Sequence, residues 1–114
     1  MPDIRRLGEQ GFECISVHGE IDASSSVDLD QAISNCLSDG ASKILIDLSE
    51  LTYISSAGLG VFMSYVEEFK EKNIRLVLFG LTSRVAHTFN LLGLSELLEI
   101  AVNREEAIKK IHEA

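Results

Sequence analysis

Two adjacent serines, Ser55 and Ser56, lie where a strand-like pattern gives way to a helix-like one. They belong to a stretch, residues 51–66, with no charged side chain, in a chain that is 25% charged. A serine at a helix start can act as an N-cap and accept a hydrogen bond from an unpaired backbone N–H. It can also carry a phosphate, because those N–H groups and the helix dipole favour the added charge of about −1.5 to −2. Both interpretations, an N-cap and a phosphorylation switch, stay open at this point.

Two glycines, Gly58 and Gly60, follow these serines. Each costs about 1 kcal/mol inside a helix relative to alanine, but a glycine lets another backbone or another protein come close. An uncharged helix start with two glycines is therefore a candidate docking face for a partner protein. A phosphate there would put a hydrated dianion into that face, so it would oppose docking without unfolding the protein.

The motifs of common enzyme classes are absent from the chain. A nucleophile elbow needs Gly-x-Ser-x-Gly, but Ile54 stands where Ser56 would need the first glycine. The third glycine of a dinucleotide fingerprint would fall at Met63, and no Gly-Lys-Ser/Thr forms a phosphate loop. The histidines and cysteines are scattered along the chain, at positions His18, His87, His112, Cys14 and Cys36. We therefore expect a protein that is not an enzyme and has no catalytic residue, metal site or cofactor.

Length and charge restrict the possible partners. The chain has 114 residues, 46% of them apolar, which predicts one domain over residues 1–114. Its net charge of −8 repels nucleic acid and anionic lipid, so we expect no direct nucleic-acid contact and no membrane binding. The longest apolar run, residues 76–81, is far too short to span a bilayer, and the N-terminus has no signal-like segment. With two cysteines that suit a reducing compartment, these features predict a cytoplasmic protein.

Strand-like runs alternate with helical patterns along the chain. Strands are expected near residues 3–8 and over 12–18, 43–48, 74–79 and 97–101, with a loop after the third strand through Tyr53. Helices are expected from Ser24–Ser26 to Gly40, from Ser56 to about Lys72, from Thr82 or Ser83 to Gly93, and from Arg104 to His112 behind Asn103. Ile/Leu/Val-rich strands separated by helices favour parallel crossovers, whereas the first two strands should pair antiparallel. The prediction is an α/β fold, a four- or five-stranded mixed sheet with about four helices mainly on one face.

Apolar spacing also predicts the core. The inward helix positions are Leu29, Ile33, Cys36, Leu37, Leu59, Phe62, Val66, Phe69, Val85, Phe89, Leu92, Ala107, Ile108 and Ile111. The interior strand positions are Ile44, Ile46, Leu76 and Leu78. Asp47 lies among them, so its carboxylate should accept a hydrogen bond from a loop N–H or a water near the second helix.

One longer run resembles a known family. Residues 46–62, Ile-Asp-Leu-Ser-Glu-Leu-Thr-Tyr-Ile-Ser-Ser-Ala-Gly-Leu-Gly-Val-Phe, resemble the STAS family and, within it, the bacterial anti-sigma factor antagonists. Gly19-Glu20-Ile21-Asp22 and Leu92-Gly93-Leu94 fit the same pattern, so the resemblance covers nearly the whole chain. It implies a protein that binds a serine-kinase anti-sigma factor and so frees a sigma factor for transcription. The kinase then phosphorylates a serine at the start of the second helix, and a metal-dependent serine phosphatase resets this partner switching.

The resemblance also implies the site residues. The family's phosphorylated serine matches Ser56, two positions before Gly58, and Asp22 matches an acid near the same face. The residue before that serine is most often aspartate in the family but is Ser55 here, which makes Ser55 an alternative acceptor. The partner-binding positions implied are Asp22, Ser55, Ala57, Gly58, Gly60 and Met63. Other members of the family imply an alternative, a non-phosphorylated scaffold or accessory subunit of a signalling or transport complex.

Overall fold

The computed structural model describes residues 3–113, which form alternating strands and helices. In chain order the elements are β1 (Asp3–Glu9), β2 (Phe12–Ile21), α1 (Ser26–Ser38), β3 (Lys43–Ile54), α2 (Ser56–Lys72), β4 (Arg75–Phe79), α3 (Ser83–Leu91), β5 (Glu99–Ala101) and α4 (Arg104–Ile111). A short 3-10 helix, Leu94–Glu96, lies between α3 and β5. The bounds of α2 and the start of α4 coincide with those predicted from the sequence.

The strands form one mixed sheet in the order β1-β2-β3-β4-β5. β1 pairs antiparallel with β2, and β2, β3, β4 and β5 run parallel to one another. Three of the helices connect neighbouring parallel strands, because a parallel pair needs a long crossover. The α/β architecture, the mixed sheet and the pairing of residues 43–48 with 74–79 are therefore confirmed.

The sheet separates two hydrophobic cores. One face packs against α1, α2 and α3, and its fully buried side chains include Ile15, Leu29, Ile46, Phe62 and Phe89. The other face packs against α4, through Phe12, Leu45, Val77, Ala107 and Ile111 among others. Neighbouring residues of a strand point to opposite faces, so a continuous apolar run such as residues 44–46 supplies both cores. Three helices on one face and one on the other agree with the predicted arrangement.

Some expectations about detail are wrong. β3 does not end in a loop before Tyr53 but continues to Ile54, because its second half pairs with residues 18–21 of β2 across two register shifts. Leu92 is not part of the core: α3 ends at Leu91, and Leu92 is 58% exposed beside Gly93, whose φ is 71°. The last strand begins at Glu99 rather than at residue 97.

The core prediction holds elsewhere, with partial burial at its rim. The half-buried positions are Leu37, Val66, Leu76 and Ile108. Asp47 is also half-buried, and its Oδ1 accepts hydrogen bonds from the N–H and hydroxyl of Ser49, at 3.0 and 2.7 Å. This carboxylate therefore fixes the middle of β3 rather than a loop near α2.

Candidate partner-binding site

The carboxyl ends of the parallel strands bring the predicted site residues to one edge of the sheet. Ile21 at the end of β2 lies opposite Ile54 at the end of β3. The N–H of Ser55 donates to the carbonyl oxygen of Ile21 at 2.8 Å, so the chain that leaves β3 is held beside the chain that leaves β2. Asp22 and Ser55 thus become neighbours although they are far apart in the sequence.

Ser55 is the N-cap of α2. Its backbone is extended, with φ −79° and ψ 169°, and its Oγ accepts a hydrogen bond from the N–H of Gly58 at 3.2 Å. Its carbonyl oxygen accepts from the N–H of Leu59 at 3.0 Å. The half-buried hydroxyl of Ser55 is therefore already engaged in starting the helix.

Ser56 has a different environment. It is the first residue of α2 and is exposed, and its hydroxyl makes no hydrogen bond within residues 3–113. The first turn of α2 contains no acidic residue that would repel an added anion. A phosphate on Ser56 could therefore interact with the helix dipole without displacing the cap at Ser55.

The two glycines after the serines also differ in their environments, since Gly58 is buried and Gly60 is exposed. Gly58 is buried, and a Cβ at this position would lie 2.7 Å from Cγ1 of Ile54 and 2.8 Å from Cγ2 of Ile21. At Gly60, by contrast, a Cβ would meet no other atom within 4 Å. The close approach that Gly58 permits is therefore one within this chain, between α2 and the ends of β2 and β3.

The remaining predicted positions on α2 form an exposed strip. Ser56, Gly60 and Met63 are spaced at i, i+4 and i+7, so they share a helix face, with Ala57 at its side. Ser56, Ala57 and Gly60 are exposed and Met63 is half-buried. This strip is uncharged and is the part of α2 that a partner could cover.

Asp22 carries a fixed negative charge next to the strip. Its Oδ1 accepts hydrogen bonds from the N–H and hydroxyl of Ser25 and from the hydroxyl of Ser24, each at 2.9 Å. These bonds, the one from the Ser25 backbone first, hold the pKa of the Asp22 carboxyl at about 2. Asp22 therefore stays ionised and exposed while it stabilises the turn before α1.

A pair of residues that the sequence analysis did not single out lies at the same edge. The Arg84 guanidinium carbon lies 6.0 Å from the ring centroid of Tyr53, and Tyr53 is 41% exposed. Tyr53 was expected in a loop, where its contacts cannot be predicted. The sequence does contain an indication for Arg84: it is a cation next to a predicted helix start, where it opposes the helix dipole.

Potential metal ligands do not cluster within the described residues, and the two free cysteines are buried. Residues 3–113 contain no group of three or more His, Cys, Asp or Glu side chains placed to hold a metal ion. Burial raises the pKa of the Cys14 and Cys36 thiols, which disfavours the reactive thiolate. None of the helices in this part of the chain is both long and apolar enough to cross a membrane.

A family sequence model and a curated relative indicate the same family for this chain. Residues 4–107 match the sequence model of the STAS domain. The anti-sigma-B factor antagonist of Listeria monocytogenes is 37% identical over 86 residues, which cover 75% of this chain and 75% of that protein.

Solved structures agree in fold. An anti-sigma factor antagonist from Mycobacterium paratuberculosis superposes with a TM-score of 0.88 at 22% identity, over 99% of this chain and 96% of that one. The Bacillus cell fate determinant SpoIIAA in its phosphorylated form superposes with a TM-score of 0.72 at 21% identity, over 96% of this chain and 100% of that one. At this identity the two structures establish a common fold. The family resemblance inferred from the motif residues is confirmed by the match of residues 4–107 to the STAS model and by the Listeria relative.

Proposed function

The chain belongs to the STAS domain family, and on this basis we propose that it is an anti-sigma factor antagonist. In this function it binds a serine-kinase anti-sigma factor and thereby releases a sigma factor to RNA polymerase. The name of the Listeria relative supports the proposal, since that protein is 37% identical over three quarters of both chains. Because sigma factors act with RNA polymerase, this function is carried out in the cytoplasm.

Phosphorylation of Ser56 ends the interaction in this proposal. The observation that carries it is the contrast between the two serines: the Ser55 hydroxyl is bonded to Gly58, whereas the Ser56 hydroxyl is exposed at the first residue of α2. The kinase transfers the γ-phosphoryl group of ATP to Oγ of Ser56, the bond to the β-phosphate breaks, ADP leaves, and the hydroxyl proton is lost. A metal-dependent serine phosphatase then hydrolyses the phosphoserine and restores binding.

The switch follows from where the charge lies in the free and the bound protein. In the free protein the phosphate is hydrated and faces the positive end of the α2 dipole, so the fold tolerates it. In the complex the same dianion lies under the partner and must lose water. The chain itself needs no catalytic group, since it contributes only the binding surface and the acceptor hydroxyl.

Mapping the phosphoacceptor tests the assignment of Ser56. The protein is incubated with ATP and the serine-kinase anti-sigma factor from the same genome, and the product is analysed by mass spectrometry. Ser56→Ala should abolish incorporation, while Ser55→Ala should only slow it because the cap of α2 is lost. Ser64→Ala, which removes another exposed serine of α2, is the control and should leave incorporation unchanged. Incorporation that survives in Ser56→Ala and disappears in Ser55→Ala would move the switch by one residue.

An acidic substitution tests the mechanism separately. Ser56→Asp should keep its melting temperature, because a charge at a helix start gains about 0.3–1 kcal/mol from the dipole. It should bind the kinase more weakly by about 1–3 kcal/mol, roughly 5- to 150-fold by calorimetry. Ser83→Asp places the same charge at the first residue of α3, behind the Thr82 cap, and is the matched control for stability.

Other outcomes have defined meanings. If Ser56→Asp loses stability and affinity together, Ser56 has a structural role and the switch is wrong. If it keeps both, the partner does not dock over the start of α2, and a non-phosphorylated scaffold or accessory subunit is the better interpretation.

A further inference from the structure

Arg84 differs from every other arginine of the chain. The other four form ion pairs, Arg5 with Asp3, Arg6 with Glu13, Arg75 with Glu99 and Arg104 with Glu9. Arg84 forms no ion pair with any carboxylate of residues 3–113, although the chain contains 18 acidic residues. Its guanidinium instead lies over the exposed ring of Tyr53.

No ion pair within residues 3–113 accounts for the position of Arg84. Arg84 is the second residue of α3, where the positive end of the helix dipole disfavours a cation, and the first turn of α3 has no acidic residue to compensate. The contact with the Tyr53 ring offsets part of this cost but leaves the guanidinium without an anionic partner among residues 3–113. A charged residue that lacks such a partner and opposes the helix dipole is typical of a functional position. Arginine and tyrosine are, with tryptophan, the residue types enriched among the energetically dominant contacts of protein interfaces.

Hydrogen bonds of the Thr82 side chain hold together the two segments that carry Tyr53 and Arg84. The Thr82 hydroxyl caps α3 by accepting from the N–H of Val85 at 3.3 Å, and it lies 3.4 Å from the carbonyl oxygen of Leu51, to which it donates. The start of α3 is therefore tied to β3 two residues before Tyr53. A guanidinium supported on a ring in this way loses little freedom when a ligand binds it.

Charge at this edge of the sheet is divided between two sides. On the β2 side lie the exposed carboxylates of Glu20, which is opposite Tyr53 in the strand register, and Asp22. Arg84 follows β4 and Ser56 follows β3, so in the strand order β2-β3-β4 the uncharged start of α2 comes between Arg84 and the acids of the β2 side. A partner that covers Ser56 and extends to both sides would meet acidic residues on one side and Arg84 on the other.

We propose that Tyr53 and Arg84 extend the docking surface from Ser56 towards α3, and that Arg84 receives a carboxylate side chain of the partner protein. The planar guanidinium of Arg84 can bind both carboxylate oxygens along its edge, while the Tyr53 ring packs against one face of the guanidinium. Together with the acids of the β2 side, this contact fixes the orientation of the partner. The inference rests on the proposed function, because the partner is the same kinase.

Calorimetry with the serine-kinase anti-sigma factor tests the contact directly. Arg84→Ala and Tyr53→Ala should each weaken binding, Arg84→Ala by about 10- to 100-fold. Arg84→Lys should recover only part of the loss, since a lysine offers a point charge without the planar fork. Arg5→Ala is the control: it removes an exposed arginine on β1, away from the site, and should change affinity by about twofold or less.

Stability and salt dependence separate a docking role from a structural one. Arg84→Ala should melt at the wild-type temperature or above it, because a cation is removed from a helix start. The association rate of the wild type should fall between about 50 and about 500 mM salt, and that of Arg84→Ala should fall less.

Two results would overturn the inference: wild-type affinity in Arg84→Ala, or parallel losses of melting temperature and affinity in that variant. The proposed function is judged by a different variant. If Ser56→Asp weakens binding while Arg84→Ala does not, only this inference is wrong. If Ser56→Asp binds as well as the wild type, the proposed switch itself is wrong.

Discussion

Asp22 stabilises a turn and at the same time carries a negative charge at the edge of the sheet that we propose for docking. Its carboxylate accepts from the N–H and hydroxyl of Ser25, and the hydroxyl of Ser25 in turn lies 2.9 Å from the N–H of Asp22, from which it accepts. This reciprocal arrangement positions the chain between β2 and α1. It also keeps the carboxyl ionised, because the bonds that Ser25 donates to the carboxylate favour the charged form.

The depressed pKa of Asp22 predicts a contribution to stability with a defined pH window. The pKa is about 2 in the folded protein and 3.8 for the ordinary group, so the unfolded chain binds the proton more readily. The contribution should be complete above pH 3.8 and lost as the pH falls towards about 2. Urea unfolding across this range should show a steeper loss of free energy for the wild type than for Asp22→Asn. An NMR titration of the Asp22 carboxyl with a midpoint near 3.8 would contradict the assignment.

The α2 helix is the element that links the fold to the site. Its start is set by the Ser55 cap, and its first turn fits tightly on the ends of β2 and β3 because Gly58 has no side chain. One flank of α2 is bonded to α1, because the hydroxyl of Tyr65 on α2 donates to the carboxylate of Asp30 on α1. The exposed strip of α2 is therefore presented on a helix that is fixed at both its start and its flank.

Replacing the two glycines of α2 should have opposite effects. Gly58→Ala places a methyl group 2.7 and 2.8 Å from the Ile54 and Ile21 side chains, so it should destabilise the fold by about 1–3 kcal/mol. Gly60→Ala meets open space and should stabilise it by about 0.4–1 kcal/mol, since alanine restricts the unfolded chain and favours the helix. Guanidinium unfolding of both variants measures the difference. Equal shifts in the same direction would show that the fit at Gly58 is not tight.

At the scale of the whole molecule, the sheet isolates the site from one of the two cores. Ser55, Gly58 and the first turn of α2 lie over the core shared with α1 and α3. The α4 helix packs on the opposite face, where Ile111 is completely buried. A substitution on the α4 face of the sheet should therefore change stability without changing partner binding, whereas one on the α2 face should change both.

Two truncations of equal size test this separation. Ile111→Ala and Leu59→Ala should each cost about 2–5 kcal/mol of unfolding free energy, because both remove buried methyl and methylene groups. Ile111→Ala should leave the partner affinity of the folded protein unchanged, whereas Leu59→Ala, in the first turn of α2, should also weaken binding. Chemical unfolding and calorimetry on the same samples measure both quantities. A loss of affinity in Ile111→Ala would show that the two faces are coupled.

Local patterns along the chain were sufficient for several features. The spacing of apolar residues predicts α2 from Ser56 to Lys72 and its buried side, because helix periodicity is expressed within a few turns. The Ile/Leu/Val runs predict a largely parallel sheet, and the contiguous residues 46–62 indicate the family. An N-cap at Ser55 or Ser56 was also predictable, since capping depends on neighbours three residues away.

Contacts between distant segments were decided only by the tertiary structure. Pairing with β2 carries β3 on to Ile54, and the bond from Ser55 to the Ile21 carbonyl brings Asp22 beside the serines. The same packing buries Gly58 and places Arg84 on the ring of Tyr53. These partners are about thirty or more residues apart, so no local periodicity encodes them. They form only when the whole sheet closes its cores and brings the strand ends together.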